Sequence, residues 1–192
     1  MAGLGATMVA RPVMAQAIPL AEISAYMNNL EAARARFRQD APDGSVTSGT
    51  FYLKRPGRMR FEYDPPEPAM VIAGGGVLAV FDPRSDEPTR YPLSQTPLSV
   101  ILARNVNLSR ADEVAGVEAS GEFTLVEARD PDNPDYGSIT LVFSDNPVRL
   151  RQWIIRDESG SVTRVSLGEL DTGARVPNRL FNIVAETRNW NP

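Results

Sequence analysis

Phe51-Tyr52-Leu53-Lys54-Arg55-Pro56-Gly57-Arg58-Met59-Arg60-Phe61-Glu62-Tyr63 reads as two short strands joined by a Lys-Arg-Pro-Gly turn. In the second run Met59, Phe61 and Tyr63 alternate with Arg58, Arg60 and Glu62, a period of two that sets an apolar face against a charged one. In the first run Phe51, Leu53 and Arg55 point the same way, so an arginine ends the apolar face. A pleated surface with one dry side belongs to an antiparallel sheet that curls over something. Function turns on what occupies the dry side.

The chain on either side extends this pattern. Upstream, Leu20, Ile23, Met27, Leu30 and Phe37 recur at intervals of three or four, which predicts one amphipathic helix over 19–38. Pro19 suits its first turn, and Asp40-Ala41-Pro42-Asp43-Gly44 stops it. Downstream, strands at 70–73 and 77–81 flank Gly74-Gly75-Gly76. No Lys-Ser/Thr pair follows those glycines and no helix opens after them, so they read as a hairpin turn and not as a phosphate loop. A short strand follows at 89–91. Thr96 as N-cap and Pro97 at the first position open a helix over 97–103 with Leu98, Ile101 and Leu102 as its apolar stripe. A further short helix is expected at 109–114. Strands return at 122–128, 138–143, 149–155 and 162–167, with a last one at 180–184. The whole is a meander of eight or more antiparallel strands. Arg58 and Arg60 are assigned to its solvated face.

Composition narrows the function. With 192 residues, 42% hydrophobic and 23% charged, the chain suits one globular domain with a sizeable core. Its formal charge of −4 leaves no basic footprint for nucleic acid. There is no His and no Cys, so the Ser-His-Asp triad, the cysteine nucleophile and the usual zinc ligands are all excluded. Carboxylate chemistry alone remains, and the strands point few acids inward. Asp82, Asp86 and Glu87 lack the spacing of a calcium loop. Residues 1–17 carry a single charge, Arg11, and end in Met14-Ala15-Gln16-Ala17, an Ala-x-Ala pattern for signal-peptidase cleavage. The expected division is therefore a truncated signal peptide at 1–17 and one domain over 18–192. No later run reaches the ~18 apolar residues of a membrane span.

Taken alone, the apolar strand faces fit the core of a β-sandwich as well as a ligand cavity. Arg55 likewise fits a surface arginine bonding loop carbonyls. The order of the pieces is more specific. Gly49-Thr50-Phe51-Tyr52-Leu53-Lys54-Arg55-Pro56-Gly57-Arg58-Met59-Arg60-Phe61-Glu62-Tyr63-Asp64-Pro65-Pro66 is followed by the glycine hairpin, by Tyr91-Pro92-Leu93 and Thr96-Pro97-Leu98, and by a hairpin carrying Trp153, Asp157, Gly160, Thr163 and Val165. Across most of 20–185 this resembles LolA, the periplasmic lipoprotein carrier family, with Phe61 where better-studied members carry Trp.

The resemblance implies a mainly β (α+β) fold, an incomplete antiparallel β-barrel with a lid of short α-helices over an apolar cavity for acyl chains. It implies a periplasmic, monomeric chaperone without cofactor, metal or enzymatic activity, and without nucleic acid among its partners. Those partners would be acylated lipoproteins, an inner-membrane ABC-type lipoprotein-releasing complex and an outer-membrane lipoprotein acceptor. The family's lid-locking arginine matches Arg55. The cavity would be lined by Phe51, Leu53, Met59, Phe61, Leu78, Val80, Leu141, Phe143 and Trp153, and plugged by Leu98, Ile101 and Leu102. A carrier or sensor of other lipids on the same fold is the alternative.

Overall fold

A computed structural model describes residues 16–66, 69–109, 113–130 and 132–191. Eleven strands form a single antiparallel sheet. In chain order they are β1 (Ala32–Asp40), β2 (Val46–Lys54), β3 (Arg58–Tyr63), β4 (Met70–Gly74), β5 (Val77–Phe81), β6 (Thr89–Pro92), β7 (Val114–Ser120), β8 (Phe123–Arg129), β9 (Ser138–Ser144), β10 (Arg149–Arg156) and β11 (Val162–Leu167). Their spatial order is β6-β5-β4-β3-β2-β1-β11-β10-β9-β8-β7. Chain neighbours therefore pair, except that β11 returns to flank β1. The ends β6 and β7 do not meet, and the sheet stays open.

It is strongly curled. Three strand spacings separate β2 from β10, about 14 Å on a flat sheet. Yet the ring of Phe51 on β2 lies 5.5 Å from that of Trp153 on β10, and Phe61 on β3 lies 6.0 Å from the same indole. Ala33 and Ala35 of β1, opposite Leu53 and Phe51, and Val165 of β11, opposite Trp153, are buried on the same side. Phe37 and Tyr63 extend the aromatic floor, with Phe37 edge-on to Phe61 at 4.8 Å and to Tyr63 at 5.1 Å.

Two sets of helices cover the two faces. On the concave side, α1 (Leu20–Asn29) and α2 (Ser99–Leu102) join the same apolar cluster as the aromatic floor. On the convex side, the segment after β11 ends in a 3-10 turn, Asn178–Phe181, and α3 (Ile183–Asn189). Val176 and Phe181 there pack on Ile72, Ala79 and Phe81 of β4 and β5. The approach is close: a Cβ at Gly74 would lie 2.5 Å from the Phe181 carbonyl oxygen.

Several expectations need correction. The helix expected over 19–38 ends at Asn29, and Ala32–Asp40 is a strand. Ala and Arg both favour helix, but Ala33, Ala35 and Phe37 face the core while Arg34, Arg36 and Arg38 face out, and sheet pairing on both sides decides the matter. The helix expected over 97–103 is a 3-10 turn, Leu93–Gln95, followed by one short α-helical turn, Ser99–Leu102. The Thr96 hydroxyl does not cap it; it donates to the Leu93 carbonyl at 2.9 Å. Of the helix expected at 109–114, 110–112 lie outside the described residues, and Val114 opens β7. The strand expected at 180–184 is helical. The signal peptide proposed for 1–17 falls almost entirely outside the described residues.

Arg58 and Arg60 do not form a solvated face. Arg60 is buried beneath the C-terminal segment, donating to Glu62 at 2.7 Å, to Glu186 at 2.9 Å and to the Leu180 carbonyl at 3.0 Å. Arg58 donates to Asn178 at 3.2 Å.

The Phe37 ring rests over Gly49, where a Cβ would lie 2.6 Å from a ring carbon and 2.0 Å from the Glu62 carbonyl oxygen. Gly49→Ala should destabilise the fold by about 2–3 kcal/mol, read as a lower midpoint in urea unfolding, because the backbone of β3 must shift.

Candidate functional site

The concave face is dry along most of its length. Alternation on β2 and β3 turns Phe51, Leu53, Met59 and Phe61 inward, and Leu78 on β5 follows across the ladder with β4. From the other half of the sheet come Leu141, Phe143 and Trp153. All eight are buried and belong to one apolar cluster. Leu98, Ile101 and Leu102 of the lid complete the cluster from above, together with Val106 and Leu108 of the chain that follows. The side chains of this segment fill the space above the floor. Val80 lies apart: it shares the face of Leu78 but is only half-buried, beyond the reach of the lid.

Polar links at several points fasten the lid. The Arg55 guanidinium is buried and donates through Nη2 to the Ala103 carbonyl at 2.6 Å. In the same turn the Gly57 amide donates to the Leu102 carbonyl at 2.9 Å. The Arg55 amide donates back to Glu31 at 2.7 Å, tying the turn to the chain between α1 and β1. On the other side, Asn28 of α1 grips Val106 twice: its Nδ2 donates to the Val106 carbonyl at 2.9 Å, and its Oδ1 accepts the Val106 amide at 2.8 Å. Ser24, one turn earlier, accepts the Leu108 amide at 3.0 Å while donating to Leu20 at 2.7 Å.

The Arg55 link is the least comfortable of these. Its Nε is buried without a hydrogen-bond partner, and burial pushes the guanidinium below its ordinary pKa. An unsatisfied buried donor costs about 1–3 kcal/mol, which offsets much of a charged hydrogen bond of similar worth. Asn28, by contrast, spends both ends of its amide on one residue.

At the end of the half-barrel away from Arg55, the floor opens into a cleft of about 840 Å³. Tyr63, Val71 and Val80 carry the apolar face into it, and Met70 and Phe81 border it from the other side. The Tyr63 hydroxyl donates to Gln39 Oε1 at 2.9 Å, and burial raises its pKa to about 12. At the rim, hydrogen bonds from Arg84 hold the Asp82 carboxyl down at about 2.

The expected lining residues thus converge on one face, with Val80 at its open end, and Arg55 reaches the lid. Ser24 and Asn28 were missed. They look like solvent-facing polar positions on a helix, and the one available signal was their spacing of four, which puts them on one side of α1. Tyr63 as part of the mouth was legible from its alternation with Phe61.

A curled open sheet, an apolar hollow and a tethered helical cover define a half-barrel with a lid. The family model for the outer membrane lipoprotein carrier protein LolA matches residues 28–184, and the chain belongs to that family. A similar curated protein is the outer-membrane lipoprotein carrier protein of Leptothrix cholodnii, 28% identical over 185 residues, which spans 89% of this chain and 84% of the relative. Its counterpart in Nitrosomonas europaea is 25% identical over 181 residues, covering 88% and 86%. Among solved structures, a putative outer membrane lipoprotein-sorting protein domain from Vibrio parahaemolyticus superposes with a TM-score of 0.55 at 10% identity, covering 88% of this chain and 97% of that one. That likeness bears on fold alone. The curated relatives are named for carriage and not for a reaction. Among the described residues no helix is long and apolar enough to cross a membrane.

Asn28→Ala should strip two hydrogen bonds from the backbone of buried Val106. Exchange of the Leu102 and Leu108 amides should speed up on the order of tenfold, read by hydrogen exchange, while strand amides stay unchanged. Tyr63 yields a pH dependence. Its folded pKa lies above the ordinary value of 10.0, so its contribution to stability is intact below pH 10 and is lost as pH rises through about 12. Tyr63→Phe should flatten that part of the stability-pH curve relative to the parent protein.

Proposed function

We propose that this protein is a periplasmic chaperone that shelters lipoprotein acyl chains on its concave face and carries lipoproteins from the inner to the outer membrane. It would receive them from an ABC-type releasing complex and yield them to an outer-membrane lipoprotein acceptor. One observation carries the reading: a continuous apolar floor lies under a cover that few, separable polar links hold in place.

The energies support an exchange. Burying a methylene is worth roughly 0.8 kcal/mol, so a long acyl chain gains on the order of 10 kcal/mol. The five apolar side chains of the cover, Leu98, Ile101, Leu102, Val106 and Leu108, are each worth about 2 kcal/mol buried, about 10 together. An acyl chain that takes their place on the floor roughly compensates for their release. The links that remain, above all Arg55 to Ala103, then set which way a nearly balanced exchange falls. A carrier needs that balance, since a hollow that held its cargo too well would never release it. Met59 among the floor residues adapts to chains of different shape.

Native mass measurement on protein taken from the periplasm tests the cargo. Adducts of acylated proteins support the reading. Small-lipid adducts alone would favour the alternative, a carrier of free lipid on the same fold. Depleting the protein should strand lipoproteins at the inner membrane.

Arg55→Leu removes a link made only when the cover is shut. The balance should move toward the loaded state by about 1 kcal/mol, roughly fivefold. Cargo should accumulate on the variant and pass more slowly to the acceptor. Transfer at the parent rate would refute the role given to Arg55.

A further inference from the structure

The convex face carries a groove that the cargo reading does not use. About 790 Å³ in volume, it lies between β1, β2 and the segment that follows β11. Arg34, Arg175 and Arg179 line it, with the Tyr52 ring as part of its wall. The Arg34 guanidinium stacks over that ring at 5.7 Å, which fixes it at the groove.

Three arginines meet in this one groove, and none of them is paired with an acid among the described residues. In a chain with 24 acids to 20 bases, Arg36 pairs with Asp64, Arg38 with Asp40, Arg60 with Glu62 and Glu186, and Arg151 with Glu169. Arg34, Arg175 and Arg179 make no ion pair within the described residues, although acid is in excess. Asp171, the acid that lines the groove, directs Oδ1 at the Gly173 amide, 3.0 Å away. The groove is therefore a cationic depression on an acidic protein, lined by side chains whose planar forks suit carboxylates.

We propose that this groove docks an acidic peptide segment of a partner protein. The chemistry favours peptide over a lipid surface. The exposed large apolar side chains, Val46, Tyr91, Val117 and Val184, all lie outside the groove, so it offers nothing to insert into a bilayer. Three arginines with an adjoining aspartate also fall short of the dense basic cluster that holds a protein on anionic headgroups. An extended chain with carboxylates could lie between the arginines, its apolar positions against Tyr52 and Leu180. The site lies on the face away from the hollow and does not depend on what the hollow carries.

The test uses the whole protein, a fluorescent poly-glutamate peptide and vesicles of phosphatidylcholine with phosphatidylglycerol. The peptide should bind the parent protein, and binding should weaken with salt. Arg175→Gln with Arg179→Gln should cut affinity about tenfold or more, with thermal unfolding unchanged. Arg36→Gln, an outward arginine on the same strand as Arg34 but already paired, should leave affinity unchanged. Absence of peptide binding would overturn the proposal. So would equal affinity in the double variant, an equal loss in Arg36→Gln, or arginine-dependent binding to the vesicles in place of the peptide.

Discussion

The contact between Trp153 and the Phe51-Phe61 pair governs the shape of this protein. An open sheet of eleven strands has no closure to set its curvature, so contact across its concave side must set it. The indole from one half meets two phenyl rings from the other. The curl in turn leaves a trough too wide for the strands' own side chains to fill near its upper edge, and apolar surface there must be covered. The helices on the concave side answer that requirement. The cover is thus a consequence of the curvature that the contact of three aromatic rings holds.

The sequence makes the sheet legible where alternation is clean. In β3, Met59, Phe61 and Tyr63 alternate with Arg58, Arg60 and Glu62, and Phe51 and Leu53 continue the apolar face on β2, so period two stands out. β1 fails this test. Its inward residues include two alanines, which give no large apolar signal, and Ala-Arg-Ala-Arg carries a strong helical preference. Small inward residues thus disguise the strand. On β4 and β5, Val71-Ile72-Ala73 and Leu78-Ala79-Val80-Phe81 are apolar at every position, the mark of strands covered on both faces. That run was a signal that the convex side was also occupied. The occupant was hidden because Phe181 reaches the sheet from a 3-10 turn whose residues resemble a short strand. Arg60 was misplaced for the same reason, since a charged residue on an outward face looks solvated until a partner such as Glu186 covers it.

The two covers of this sheet differ in how they are held. On the convex side, Gly74 lets the Phe181 backbone approach, and buried Arg60 ties β3 to α3 through Glu186 and to the 3-10 turn through the Leu180 carbonyl. Breaking such a network leaves a buried charge without partners, which costs several kcal/mol. That cover is firmly held. On the concave side the links are amides and hydroxyls that water can replace at small net cost, plus Arg55. Arg55 is already short of one partner when the cover is shut, so opening relieves a penalty as it breaks a bond. The same residue type therefore does opposite work on the two faces: fully satisfied Arg60 locks, and incompletely satisfied Arg55 restrains without locking. The carrier reading proposed above needs a cover held in that weaker way, and Arg55 sits at the turn between β2 and β3.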